Sequence, residues 1–133
     1  MKPYGKEKKM TREEKQILLV DLCARLPYGV MIEVQHELGK LTSIDIDDND
    51  EVIIYSGDCD EDAKIEYCKP YLRPMSSMTE EERKEYNKVM FQSERYETDY
   101  AADIDWLNAH HFDYRGLIPK GLALEAPEDM YEH

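Results

Sequence analysis

His110 and His111 stand in one segment with Asp103, Asp105 and Asp113. Imidazole beside carboxylate is the pairing that general acid–base chemistry uses, and Ser76-Ser77 offers hydroxyls that such a pair could activate. A small hydrolase built on His110, His111 and the nearby aspartates is therefore one reading of the chain. Against it, a sequence with 30 acidic residues sets carboxylates beside histidines by composition alone. The nucleophile elbow GxSxG, the phosphate cradle GxxxxGK[ST] and the dinucleotide turn GxGxxG are all missing. His36, His110, His111, Cys59 and Cys68 are donors of the right type for a metal, but no CxxC, HxxxH or HExxH spacing occurs. Adjacent residues on a helix diverge by about 100°, so His110 and His111 are poorly placed to share an ion. The residues thus assign no catalytic group, no metal ligand and no cofactor.

The acidic loops are a second candidate. Asp45, Asp47 and Asn49 follow the first, third and fifth positions of an EF-hand calcium loop, but Asp50 replaces the sixth-position Gly and Ser56 the twelfth-position Glu. A solvated hairpin tip is the expectation there. Residues 45–63 nevertheless carry nine acidic side chains and no basic one, whereas the first 16 residues carry six Lys/Arg against three Glu. With a net charge of -13, the surface repels nucleic acid and anionic lipid and attracts basic partners or cations. Direct nucleic-acid binding is disfavoured, and another protein is the expected partner. Asp47, Asp48, Asp50, Asp60 and Asp62 are candidate contacts, joined by Trp106, Tyr114 and Arg115, whose types are enriched where interfaces carry their energy. Arg115 is expected to pair with a nearby carboxylate and pin the turn at residues 113–116. Two functions follow: a non-enzymatic interaction or adaptor module, or an acidic imitation of nucleic acid that blocks a DNA-binding protein.

The elements that must hold these residues are legible from periodicity. The 133 residues suit one domain, expected over 11–127 between a flexible basic stretch at 1–10 and an acidic tail at 128–133. Thr11-Arg12-Glu13-Glu14 is a capping-box pattern, and Leu18, Leu22 and Leu26, flanked by Leu19 and Cys23, draw an apolar stripe on a helix that Pro27 ends. Cys23 reads as core, while Cys59 lies in an acidic loop where neighbouring carboxylates disfavour the thiolate. Val30, Ile32 and Val34 alternate with Met31, Glu33 and Gln35 as a half-buried strand, and Gly39 is expected to reverse the chain. Residues 41–46 alternate again, Val52-Ile53-Ile54-Tyr55 is a β-branched run, and 64–72 reads as a fourth strand that leaves the sheet near Pro70. Thr79-Glu80-Glu81-Glu82 opens a surface helix, and Ala101, Ile104, Leu107 and His111 outline another. The expected fold is α+β: an N-terminal helix, a four-stranded antiparallel meander over about 28–72 that is barrel-like, and a helical C-terminal half over about 79–124. No apolar leader follows the basic start and no run of 18 apolar residues occurs, which points to a cytoplasmic protein with reduced thiols and no membrane span.

Three stretches carry a resemblance. DLCARLPYGV (21–30), KPYLRPMSSMTEEE (69–82) and DWLNAHHFDYRGLIPKGLALEAP (105–127) resemble a group of uncharacterised small proteins of gut Bacteroides-type bacteria, members of which often sit in prophage or mobile-element settings. The resemblance implies a bacterial or phage-derived protein. It implies no activity, cofactor or site residue.

Overall fold

The structure, a computed structural model, describes residues 10–57, 62–95 and 102–131. Helix α1, Arg12–Arg25, starts where the sequence places it. Thr11 Oγ1 accepts from the Glu14 amide at 3.1 Å and Glu14 Oε1 accepts from the Thr11 amide at 2.9 Å, satisfying two amides that a helix start leaves without partners. Pro27 follows in a 3-10 turn closed by Gly29 at φ +68°, a conformation glycine adopts without steric cost. The buried face of α1 comprises Leu18, Asp21, Leu22 and Arg25. Cys23, expected in the core, is exposed instead: the inward stripe runs at i, i+3, i+4, i+7 from Leu18 and so passes through two charged residues.

Six strands form one open, mixed sheet in the order β4-β3-β2-β1-β5-β6. They are β1 Met31–Val34, β2 Glu37–Ile46, β3 Val52–Ser56, β4 Asp62–Lys64, β5 Cys68–Leu72 and β6 Leu124–Glu125. The sheet is therefore neither four-stranded nor closed, as β4 and β6 remain its two edges. The reversal expected at Gly39 lies earlier, at Gln35-His36, both at positive φ; this two-residue turn matches the right-handed twist of its strands, and Gly39 is left inside β2 opposite Ile32. Nor does the chain leave the sheet near Pro70. A 3-10 turn, Ile65–Tyr67, separates β4 from β5, and Pro70 stays within β5 opposite Ile32.

β2 serves two half-sheets. Residues Met31↔Lys40 to Val34↔Glu37 join it to β1, and Leu41↔Ser56 to Ile46↔Val52 join it to β3. A bulge between Leu41 and Ser43 separates the halves and shifts the side-chain alternation by one, so that Leu41 and then Ile44 face inward. The core joins Leu18 and Leu22 of α1 to Val30, Ile32, Leu41, Ile54, Ile65 and Leu72 of the sheet region.

The C-terminal half is only partly helical. α2, Glu80–Arg95, and α3, Ala102–Ala109, are helices, but residues 110–123 run as turns and the chain then enters β6. β6 lies parallel to β5, with Tyr71 opposite Leu124 and Leu72 opposite Glu125. The turns place Leu117, Leu122 and Ala123 in the core without a helical period.

Gly57 packs closely against Thr42 at the bulge. A Cβ on Gly57 would meet Thr42 Cγ2 at 2.8 Å, while Thr42 Oγ1 donates to the Tyr55 carbonyl at 3.2 Å. Gly57→Ala is expected to destabilise the fold by about 1–3 kcal/mol. Adding Thr42→Ser, which removes the methyl and keeps the hydroxyl, should recover most of that loss. Urea unfolding of the single and double variants checks it.

Candidate functional site

Asp21 and Arg25 are one helical turn apart, and both are fully buried. Arg25 Nε donates to Asp21 Oδ2 at 2.9 Å, and Arg25 Nη2 donates to the Phe112 carbonyl at 2.6 Å. Arg115 Nη1 reaches the other Asp21 oxygen at 2.8 Å. The carboxylate expected to pair with Arg115 is thus Asp21, 94 residues away. Both guanidinium groups approach the Tyr114 ring: Arg115 stands 4.7 Å and Arg25 5.5 Å from its centre. Its hydroxyl donates to Asn108 Oδ1 at 2.9 Å. The apolar stripe of α1 gives Asp21 and Arg25 no role; their i, i+4 spacing on the face that carries Leu18 and Leu22 is the signal in the sequence.

The aspartate and histidines of the 110–113 turn are also tied up. Asp113 is buried, and its two oxygens accept from the Leu117 amide at 2.8 Å and the Ile118 amide at 2.9 Å. α3 ends in a Schellman motif, in which Phe112 N donates to Leu107 O at 2.9 Å and His111 N donates to Asn108 O at 3.1 Å. His111 therefore occupies, at φ +63°, the left-handed position that glycine favours. Its ring stacks on Tyr131 at 3.8 Å between centres. His110 turns the other way and stacks on Trp106 at 3.9 Å, with Nδ1 2.9 Å from the Trp106 carbonyl. Of the other acid–base candidates, Asp105 accepts from the Tyr28 hydroxyl and Ser77 Oγ donates to the Pro74 carbonyl at 2.7 Å.

The two histidines face different walls, and the His110 side opens onto a groove of about 1000 Å³ between β5, α2 and the C-terminal segment. Glu81, Glu82, Glu85 and Glu128 line it, and Arg73 is the one cation among its lining residues. Arg73 is already committed: Nη1 and Nη2 grip Glu82 at 2.9 and 2.7 Å, and its guanidinium lies 4.1 Å from the Phe112 ring centre. Glu82 has a second task, since Oε1 accepts from the Thr79 amide at 3.0 Å and its own amide donates to Thr79 Oγ1 at 3.1 Å. The expected capping box of α2 is thus also the anchor of Arg73. Hydrogen bonds from Arg73 hold the Glu82 carboxyl at about 2, well below its ordinary 4.5. Glu85 accepts from Trp106 Nε1 at 3.1 Å and stands 3.8 Å from His110 Nε2. What the groove presents is therefore carboxylate, backed by a stack of Trp106, Tyr86 and Phe112.

The acidic hairpin is built differently. Asp47 Oδ1 accepts from the amides of Asn49 at 2.8 Å and Glu51 at 2.9 Å, so this carboxylate shapes the turn between β2 and β3. Asp48 and Asp50 are exposed at the same turn, and Asp62 is exposed on the edge strand β4. Asp60 and Cys59 lie outside the described residues. No group of three or more metal-ligating side chains occurs among the described residues. Cys68 is buried, and burial pushes its thiol up to about 12. No helix among the described residues is long and apolar enough to cross a membrane. No protein-family model, curated protein or solved structure matches the chain.

Two outcomes follow from these contacts. Arg25→Met leaves Asp21 buried with only Arg115 and should cost about 3–5 kcal/mol in urea unfolding. Arg115→Met, at a partly exposed position, should cost less. Glu82 binds its proton less readily folded than unfolded. Its contribution is therefore complete above about pH 4.5 and is lost as pH falls from there through about 2. Arg73→Met should flatten that part of a stability–pH profile, and an unchanged profile would refute the assignment.

Proposed function

We propose that the protein is a non-enzymatic binding module of a bacterial or phage system that holds a basic segment of a protein partner in the groove beside His110. The observation that carries this reading is the charge balance of the groove. Four glutamates line it, and its one lining cation is locked to Glu82. Glu81 and Glu128 are exposed on its walls, where charge steers encounter and is sensed through salt. The net charge of -13 favours basic partners over any acidic one. The catalytic alternative has less support, because Asp113 and Asp105 accept bonds that hold the backbone and Tyr28.

The test is a partner captured from the source bacterium, identified, and measured against purified protein at two salt concentrations. Glu81→Gln with Glu128→Gln spares Glu82 and Glu85, which hold Arg73 and Trp106. This double variant should weaken binding by about tenfold, roughly 1.4 kcal/mol, and reduce its salt dependence. Equal binding by the variant defeats the groove. Loss of binding instead on converting Asp47, Asp48, Asp50 and Asp62 to Asn would move recognition to the hairpin and favour an acidic imitation of nucleic acid.

A further inference from the structure

A second, smaller cavity of about 280 Å³ lies on the other side of Tyr131, where the β1–β2 hairpin meets the end of α3. Its chemistry is the opposite of the groove's. Tyr28, Met31, His111 and Tyr131 supply rings and a thioether, Lys40 is the one Lys or Arg among the lining residues, and no carboxylate lines it. Lys40 forms no ion pair among the described residues, although the chain carries 30 acidic side chains against 17 basic ones. Asp105 is not part of the lining, and the Tyr28 hydroxyl donates to its Oδ1.

The walls are fixed before anything binds. The Tyr131 hydroxyl accepts from the Met31 amide at 2.8 Å and donates to the Tyr71 carbonyl at 2.8 Å, so the ring has one position. His111 stacks on it, and the His111 backbone is held by the Asn108 carbonyl at 3.1 Å and the Arg73 amide at 2.8 Å. Glycine would relax the backbone of a Schellman position; histidine there supplies a ring to the cavity wall at a strain cost of order 1 kcal/mol. Lys40 is guided too: its Cδ and Cε pass 3.6 and 3.7 Å from where a Cβ on Gly29 would stand. The lysine stem thus runs within van der Waals reach of the Gly29 position.

Aromatic and thioether side chains that bring a few polar groups of their own, with one ammonium among them, are what small-molecule sites share. From this juxtaposition we infer that the cavity is a binding site for a small aromatic or apolar monocarboxylate, its body between Tyr131, His111, Met31 and Met130 and its charge on Lys40. The site is separate from the acidic groove and does not depend on how that groove is used.

Benzoate is the probe, with benzamide as its neutral isostere and benzylammonium as its charge-reversed counterpart, each titrated into isotopically labelled full-length protein and followed by amide NMR. Benzoate should shift Gly29, Met31, Lys40, His111 and Tyr131 saturably and leave Glu81 and Glu128 in place. Benzamide, and benzoate with Lys40→Met, should each bind about tenfold more weakly, and benzylammonium more weakly still. The Lys40→Met spectrum, unshifted elsewhere, reports an intact fold. Non-saturating or scattered shifts, or equal binding of benzoate and benzamide, would overturn the proposal. Equal benzoate binding by Lys40→Met would do the same.

Discussion

A buried carboxylate between two arginines joins α1 to the turns that follow α3. Asp21 on α1 takes Arg25 from its own helix and Arg115 from the C-terminal turns, and Arg25 continues to the Phe112 carbonyl. Removing two full charges from water is costly unless each is paired and hydrogen-bonded. That cost makes the arrangement selective: other placements of the 110–118 segment would leave Asp21 or Arg25 buried without its partners. β6 and the groove residues Pro127, Glu128 and Tyr131 follow this segment in the chain, so their course starts from a point fixed against α1.

From Phe112 the constraint branches. Its carbonyl receives Arg25, its ring lies under Arg73, and Trp106 stacks at 5.9 Å. Arg73 passes the link to Glu82, and Glu82 to the start of α2. The Arg73 backbone bonds the His111 carbonyl and the Asp113 amide, both at 2.8 Å, which extends β5 beyond Leu72. One aromatic residue and two arginines thereby connect α1, β5, α2 and α3. The acidic groove and the Lys40 cavity lie on either side of the same Tyr131 wall, one taking up His110 and the other His111.

The opposite polarities of the two concavities come from which elements meet there. α2 begins with Glu80, Glu81 and Glu82, which suit its helix dipole, and Glu85 follows one turn later, so the groove that α2 borders is acidic. The cavity is bordered by the β1–β2 hairpin, which contributes Met31 and Lys40, and by the C-terminal aromatics. An acidic chain can therefore still keep a local cationic recess, because charge on a folded surface is sorted by element and not averaged over the chain.

What could be read in the residues was local. Both capping boxes, the inward alternation of Val30, Ile32 and Val34, the turn chemistry of Asp47 and the surface character of α2 depend on neighbours within four residues. Local pattern failed where the decisive partner was distant. Apolar spacing points the inward face of α1 through Leu26 and Cys23, whereas Asp21 and Arg25 are charged and become core residues only through Arg115 and Phe112. Gly39 is the expected reversal, yet the turn falls at Gln35-His36, residue types that seldom adopt the left-handed conformation. The helical half expected to about residue 124 stops at Ala109, because turns bring Leu117, Leu122 and Ala123 into the core and parallel pairing of β6 with β5 decides the path that follows. Sequence alone thus determined the helix starts, the strand faces and the sign of the surface. Tertiary structure decided the six-strand order, the buried ion cluster and the two concavities, since each requires groups dozens of residues apart to satisfy one another's charge and hydrogen bonds.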